Sequence, residues 1–590
     1  MLSPDGTQLA CLAPVDSVLN IWLGATGSDR LEPVTQARKR SIVDFVWTPD
    51  GRHIVFPQDR DGDEDFHLHA LGLATGATRD VTPFAGVQAQ VLGRSPDVPG
   101  ALLVGLNRTD PHRHDAYRLD VATGKLELVA ENPGFTWLPA WIADRWLQPR
   151  AGLRPRDDGG LEIHVADGSA WRRVFAVDAV DALTTSVVGF SRDADVLYLV
   201  TPAGADTAGL HALDLASGRQ RALAADPDAD IDYVRADPHT RAPQLVGLTK
   251  DRMRYRVLDP AVQRDIDAIA TLGRGDPYIT AADDADTRWV VRLEADDRPA
   301  RYVLLDRRDG RATPLFEAHP RLATHEFART EPFSLRARDG LRLHGYLTLP
   351  RGGRSPYPTV LSVHGGPYDR DRWGFDPHVQ WLANRGYACL QVNFRGSTGY
   401  GKRFLAAGDK EWGGKMHDDL VDTVTWAIDE GHADARRVAI YGASYGGYAA
   451  LAGAAFTPDV FRCAVALAAP TNLVTLLENA PPYWAGIIPQ LRRRVGDPET
   501  DAELLWSRSP LARAHDIRIP VLLGHGRNDP RVKVSETEQL VAALRERDIP
   551  HQHVIFEDEG HGLVGQANRL RFMRTAEAFL AEHLGGAAEP

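Results

Sequence analysis

Val438-Ala439-Ile440-Tyr441-Gly442-Ala443-Ser444-Tyr445-Gly446-Gly447-Tyr448-Ala449-Ala450-Leu451-Ala452 joins a short apolar run, a serine bracketed by glycines and an alanine-rich run. The first run reads as a strand buried on both faces, and the last as a helix beginning near Tyr445. Between them, Gly442-x-Ser444-x-Gly446 has the form of a nucleophile elbow. Glycines flank the serine because a strained turn leaves no space for Cβ atoms, and the turn lifts Oγ clear of the sheet at a helix N-terminus. A Gly-Ser turn that merely caps a helix would show the same three residues. The strand before and the helix after favour the nucleophile.

A serine hydroxyl is a weak nucleophile and needs a general base, which in turn needs an orienting acid. Downstream, His561 lies in Glu557-Asp558-Glu559-Gly560-His561-Gly562, directly after the apolar run His553-Val554-Ile555-Phe556. Asp529 lies in Gly524-His525-Gly526-Arg527-Asn528-Asp529-Pro530-Arg531-Val532, directly after Val521-Leu522-Leu523. Serine, aspartate and histidine thus all fall at the C-terminal ends of strands, where open α/β sheets place their sites. With 21 histidines in the chain, His525 and His551 are left unassigned. Asp558 is set aside as the acid because it shares the loop of His561, whereas a triad needs an aspartate reaching across from another strand end.

Upstream of the serine, the runs Thr359-Val360-Leu361-Ser362-Val363 and Ala388-Cys389-Leu390-Gln391-Val392 read as further buried strands, and a helix is expected from about Asp418 to Ile428. Strands alternating with helices predict an α/β-hydrolase domain with a doubly wound, mostly parallel sheet over residues 326–590. The oxyanion of an acyl-transfer intermediate needs two donors. The Tyr445 amide, following the nucleophile, is the first; His364-Gly365-Gly366-Pro367 follows Val363, and Gly366 N–H is taken as the second. The alternative for that glycine pair is a plain tight turn.

Before residue 325 the sequence repeats a loose unit of about 45–50 residues, the spacing of propeller blades built from four short strands. One marker is a Ser-Pro-Asp-Gly turn: Ser3-Pro4-Asp5-Gly6, Thr48-Pro49-Asp50-Gly51 and Ser95-Pro96-Asp97, with degraded echoes at Asp144, Arg192-Asp193, Asp237-Pro238 and Asp283-Asp284. A second marker is a later glycine turn at Gly27, Gly76, Gly124, Gly168, Gly218 and Gly310. Both series predict an all-β seven-bladed β-propeller over residues 1–325. Met1 falls at a blade turn, which leaves closure of the first blade open.

The net charge of −12 is spread along the chain without a basic stripe, which argues against nucleic-acid binding. Cys11, Cys389 and Cys463 are odd in number and far apart, so neither a disulfide framework nor a metal site can be drawn, and no cofactor is expected. No apolar run approaches the ~18 residues of a transmembrane helix, and no signal-peptide pattern opens the chain. The expectation is a cytoplasmic protein with no membrane partner. Because the chain opens inside a repeat, residues upstream of Met1, an export signal among them, are left open. A homo-oligomer is also left open.

His364-Gly365-Gly366-Pro367, Asn393-Phe394-Arg395-Gly396-Ser397-Thr398-Gly399-Tyr400-Gly401, the Ser444 run, Asn528-Asp529-Pro530-Arg531-Val532 and Glu559-Gly560-His561-Gly562 together resemble the prolyl oligopeptidase family of serine peptidases, and most closely its acylaminoacyl-peptidase-like branch. The resemblance spans the C-terminal half and implies a propeller that admits only short peptides. It implies that Arg531 grips a substrate carbonyl, against the alternative of a surface or ion-paired arginine. It also implies that Val532, Tyr483 and Trp484 line the specificity pocket, along with Leu473 and Leu476, against the alternative of a helix-packing stripe. Two departures argue against strict dipeptidyl cleavage. The propeller lacks the adjacent Glu-Glu pair with which one branch holds the substrate's amino group, and the glycine-rich loop lacks an oxyanion tyrosine. The acidic cluster Asp61, Asp63, Glu64 and Asp65 could take an amino terminus, but solvated hairpin acids are the expectation. The predicted activity is hydrolysis of short peptides, oligopeptidase or acylaminoacyl/aminopeptidase-like. The alternatives are an esterase or amide hydrolase acting on a small metabolite with the same triad, and a binding scaffold with an idle hydrolase half.

Overall fold

The computed structural model describes residues 1–590 apart from Asp29, Leu138 and Pro590. Seven small antiparallel sheets form the N-terminal propeller, and one eight-stranded sheet forms the remainder. Blade two shows the repeat in full: Val46–Trp47, His53–Gln58, His67–Gly72 and Thr78–Asp80, paired in sequence order. The Pro-Asp-Gly marker is the turn between its first two strands. Asp50 Oδ1 accepts from Thr48 Oγ1 (2.6 Å) and from Arg52 N (3.0 Å), and Gly51 takes a φ of +68° that a side chain would resist. The same hydroxyl-to-aspartate bond recurs at Ser3 and Asp5 (2.6 Å).

The first blade holds three strands, Gln8–Val15, Val18–Ala25 and Glu32–Pro33. In place of an innermost strand it has a single bridge, Leu2 to Leu9, flanked by Ala10 N to Met1 O (2.9 Å). Leu2 packs with Leu9 and with Val290 of the seventh blade. Asp284 N donates to Pro4 O (2.9 Å) and Arg288 Nη1 to Gly6 O (2.6 Å), so the ring closes through these contacts and not through a shared sheet. Hydrophobic clusters between neighbouring blades hold the ring, for example Val55, Leu68, Leu102, Val104 and Leu119.

Residues 318–329 lead from the last propeller strand, Arg311–Glu317, to the hydrolase sheet. Its strands are β1 (Thr330–Arg336), β2 (Arg342–Thr348), β3 (Tyr357–Val363), β4 (Ala388–Asn393), β5 (Ala433–Ala443), β6 (Cys463–Leu467), β7 (Val521–Gly526) and β8 (His551–Phe556), in the order β1-β2-β4-β3-β5-β6-β7-β8. The β1–β2 and β2–β4 pairs are antiparallel and the remainder parallel. Helices α1 (Pro377–Asn384) and α5 (Gln566–Leu584) cover one face through Val379, Leu382, Phe572, Phe579 and Leu580. Helices α2 (Lys415–Asp429), α3 (Tyr445–Phe456) and α4 (Ser535–Arg545) cover the other through Met416, Leu420, Ala450, Leu540 and Leu544. Burial on both faces is why these strands are nearly continuous apolar runs. Among the described residues no helix is long and apolar enough to cross a membrane.

The halves dock through polar contacts. Arg370 donates to Thr249 O and Lys250 O (2.9 Å each), Tyr346 Oη to Asp251 O (3.0 Å), and Lys402 Nζ to Asp181 Oδ1 (2.8 Å). A second set of contacts, from the first two blades, reaches the loops after β7 and β8.

Candidate active site

Ser444 stands between the end of β5 and the start of α3 with φ +58° and ψ −122°, a conformation L-residues seldom adopt and one that aims the side chain out of the turn. The flanking glycines are required by packing. A Cβ on Gly442 would lie 2.3 Å from Gly446 C, and one on Gly446 would lie 2.1 Å from Val363 O at the end of β3.

His561 Nε2 lies 3.0 Å from Ser444 Oγ, and His561 Nδ1 lies 2.7 Å from Asp529 Oδ2. The three residues come from β5–α3, the loop after β7 and the loop after β8, and the chain brings them into line across as many as 117 positions. Asp529 is buried, and its other oxygen, Oδ1, accepts from Arg531 N and Val532 N at 2.9 Å each. Burial works to raise its pKa, but hydrogen bonds from His525 and His561, and their charges, more than offset this and hold the carboxyl well below the usual carboxylate range. Asp558 is remote from this line and accepts from Asn568 Nδ2 (2.9 Å).

His525, unassigned from sequence, braces the aspartate. It is fully buried, with Nε2 2.8 Å from Val532 O, Nδ1 2.8 Å from Thr537 Oγ1, and Nε2 3.4 Å from Asp529 Oδ2. A carbonyl can only accept, so His525 Nε2 carries a proton and donates it to Val532 O. His551 lies at the start of β8, where Nδ1 contacts Ile549 O (2.8 Å).

The glycine-rich loop lies over Ser444. A Cβ on Gly365 would fall 3.6 Å from Ser444 Cβ and 3.4 Å from Ala443 O, and Gly366 has φ +116°. Gly366 and Tyr445 amides donate to no acceptor among the described residues. His364, below the loop, stacks on Phe394 with ring centroids 4.4 Å apart and reaches Gly365 O (2.8 Å) and Ser397 Oγ (3.0 Å). Burial lowers its pKa to about 4, so it stays neutral at physiological pH and fixes the loop without adding charge.

The propeller contributes residues 59–65. Glu64 is not the solvated hairpin acid expected from sequence: its side chain is 11% exposed. Arg531 Nε donates to it at 2.9 and 3.1 Å, and Tyr483 Oη donates to Glu64 Oε2 at 2.6 Å. Burial opposes the Arg531 charge, but Glu64 more than offsets it, so Arg531 is ion-paired, as one of its two sequence readings held. Burial and the neighbouring Glu64 both push the Tyr483 phenol up. Glu64 and Asp61 have φ of +60° and +54°, the left-handed backbone of a loop held by its surroundings. Asn528 Nδ2 donates to Asp61 O (2.8 Å), while Asp63 turns back on its own loop through Arg60 N and Asp65 N. Asp65 feels burial and then Asp63, which both raise its pKa.

The remaining sequence candidates differ in placement. Val532 is buried in the hydrolase core, its N–H on Asp529 and its carbonyl on His525. Leu473 and Leu476 also belong to that core, in keeping with the helix-packing alternative. Tyr483 and Trp484 sit half-buried on one helical turn.

A seven-bladed propeller set against an α/β-hydrolase sheet, with a serine, a histidine and an aspartate in line at the strand ends, defines a serine hydrolase with a covering domain. The sequence profile of the prolyl oligopeptidase family matches residues 373–587. The chain is 43% identical over 602 residues to dipeptidyl aminopeptidase BIII of Pseudoxanthomonas mexicana, covering 100% of this chain and 87% of that protein. It is 30% identical over 639 residues to dipeptidyl peptidase family member 6 of Caenorhabditis elegans, covering 100% and 85%. A puromycin-hydrolyzing peptidase of Mycobacterium tuberculosis shares the fold, with TM-score 0.78 and 22% identity over 98% of this chain and 92% of that one. The chain therefore belongs to the prolyl oligopeptidase family and is a serine peptidase.

Proposed function

We propose that this peptidase removes dipeptides from the free amino terminus of short peptides, with Ser444 as nucleophile, His561 as general base and acid, and Asp529 as the orienting carboxylate. Ser444 Oγ attacks the acyl carbon as its proton passes to His561 Nε2, and the Tyr445 and Gly366 amides stabilise the oxyanion. His561 then protonates the leaving amine, and water, deprotonated by the same imidazole, releases the acyl group.

The observation that carries the choice of terminus is Glu64. It is a half-buried carboxylate offered by the propeller beside the triad loops, with lone pairs to spare after Arg531 and Tyr483. Two extended residues span about 7 Å, so the ammonium of a dipeptidyl group held at Ser444 lies within a short reach of the acyl carbon. A single Glu64 stands in this reading where the sequence comparison looked for an adjacent pair, and the names of both full-length relatives favour it over the acylaminoacyl-like expectation. Arg531 then serves the substrate through Glu64 and, with Tyr483, Trp484 and Val532, shapes the pocket wall. The three cysteines are free thiols, which fits a reducing, cytoplasmic setting.

The test compares peptides with free and acetylated termini and identifies products by mass. Glu64→Gln is expected to raise KM for free-amine substrates on the order of 10-fold or more, the loss of a charge-assisted bond, with less effect on acetylated ones. Equal turnover of blocked peptides by the unaltered enzyme, or internal cleavage, would overturn the reading.

A further inference from the structure

The loop that carries His561 is held from two sides. Within the hydrolase half, the Glu559 carboxylate accepts from Val564 N (3.1 Å), Gly565 N (2.8 Å) and Asn568 Nδ2 (2.9 Å), which closes residues 559–565 into a ring that includes His561. The remaining partner comes from the propeller. Arg40 Nη1 donates to Glu559 Oε2 (3.0 Å), while Nε and Nη2 of the same guanidinium grip both oxygens of Asp59 (3.0 and 2.9 Å). Little of this bridge is exposed, with Arg40, Asp59 and Glu559 side chains 12%, 6% and 1% exposed. The backbone of the same loop meets the propeller too, because a Cβ on Gly560 would lie 2.1 Å from Gly62 O.

The contacts at Arg370, Tyr346 and Lys402 end on scaffold elements, and those at Asn528 and Arg531 fall on the loop of Asp529, not on the loop that carries His561. Arg40 is different in kind. A carboxylate buried to this degree and deprived of its cation must reach water or take up a proton, and either rearranges the ring it closes. His561 lies two positions along that ring, and an imidazole displaced by about 1 Å from its 3.0 Å approach to Ser444 Oγ costs on the order of 100-fold in rate.

We propose that Arg40 is a positioning residue for His561, acting through Glu559 across the interface between the two halves. This rests on the triad reading given above.

A small fluorophosphonate tests it, since such a probe reads Ser444 reactivity without using peptide subsites on the propeller. The full chain is used, well below its melting temperature, with variants R40M, R40K, E559Q, R40M/E559Q and, as an interface control, K402M. R40M and E559Q are expected to slow labelling by about 10-fold to 100-fold and to lower kcat on a peptide by the same factor with KM little changed. R40K should recover part of the loss and K402M should label within about twofold of the unaltered chain. The double variant should be no slower than its slower single parent, because both changes act along one path. Labelling of R40M or E559Q at the unaltered rate, or multiplied losses in the double variant, would overturn the proposal, and if R40M fails to fold, R40K labelling at the unaltered rate would overturn it as well. A failure of the triad reading shows separately, as labelling that survives S444A or that is unchanged in H561A.

Discussion

Replacing Asp529 by asparagine changes one atom, and the structure dictates which one. Asp529 Oδ1 accepts two backbone amides, from Arg531 and Val532, at 2.9 Å each. An asparagine NH2 placed there would face two donors and leave them unpaired, at about 1–3 kcal/mol for each. The amide oxygen therefore keeps the Oδ1 position, and the NH2 faces His561 Nδ1 at 2.7 Å. Only an acceptor is tolerated opposite it, so the imidazole shifts its proton to Nε2, the atom 3.0 Å from Ser444 Oγ. In that tautomer His561 cannot take the serine proton. The expected loss in kcat is on the order of 10⁴, or about 5 kcal/mol of barrier, with KM little affected because no substrate contact has changed. Steady-state kinetics on a chromogenic dipeptidyl substrate measures it, with Asp558→Asn as a comparison expected to stay within a few-fold. Retention of more than about a tenth of kcat in Asp529→Asn would refute the argument, since the carboxylate would then not be setting the tautomer.

Two further outcomes follow from local packing and charge. Asp371 has one oxygen bonded to Gln391 Nε2 (3.1 Å) and another buried without a partner among the described residues; burial first, and then the charge of Asp376, push its carboxyl up to about 7. Between about pH 4 and 7 the folded chain thus holds a proton that the unfolded chain has released, so its contribution to stability falls as pH rises through that window. Asp371→Asn removes this titration, and calorimetry at pH 5 and pH 8 should show a smaller drop in Tm for the variant; equal drops would count against a buried, protonated Asp371. Gly446→Ala places a methyl 2.1 Å from Val363 O, a backbone atom that cannot swing aside. Fluorophosphonate labelling should be lost, with a destabilisation of about 1–3 kcal/mol by thermal melt, and a variant that labels normally would contradict the close approach.

Much of the architecture was legible because it is written in local patterns. Pro-Asp-Gly turns at blade spacing marked the propeller, since an aspartate two residues after a hydroxyl folds the chain back on itself wherever it occurs. The strands of the hydrolase sheet were found to within a few residues, as with Thr359–Val363 against the observed Tyr357–Val363, because strands buried on both faces are apolar throughout. The first blade was harder. Its innermost strand survives as the Leu2–Leu9 bridge, which has no period to detect.

The sequence by itself determined the propeller and the hydrolase sheet and singled out Ser444, Asp529 and His561 as candidates, because each lies in a motif whose spacing reflects its own stretch of backbone. Only the tertiary structure decided that Glu64 is paired with Arg531, that His525 braces Asp529 and that Arg40 bridges to Glu559. Glu64 and Arg531 are 467 positions apart, and Arg40 and Glu559 are 519 apart. Such pairs leave no periodicity behind, since what joins them is the desolvation of opposite charges when two separately folded surfaces meet, and a charged residue destined for that interface reads along the chain like one bound for water.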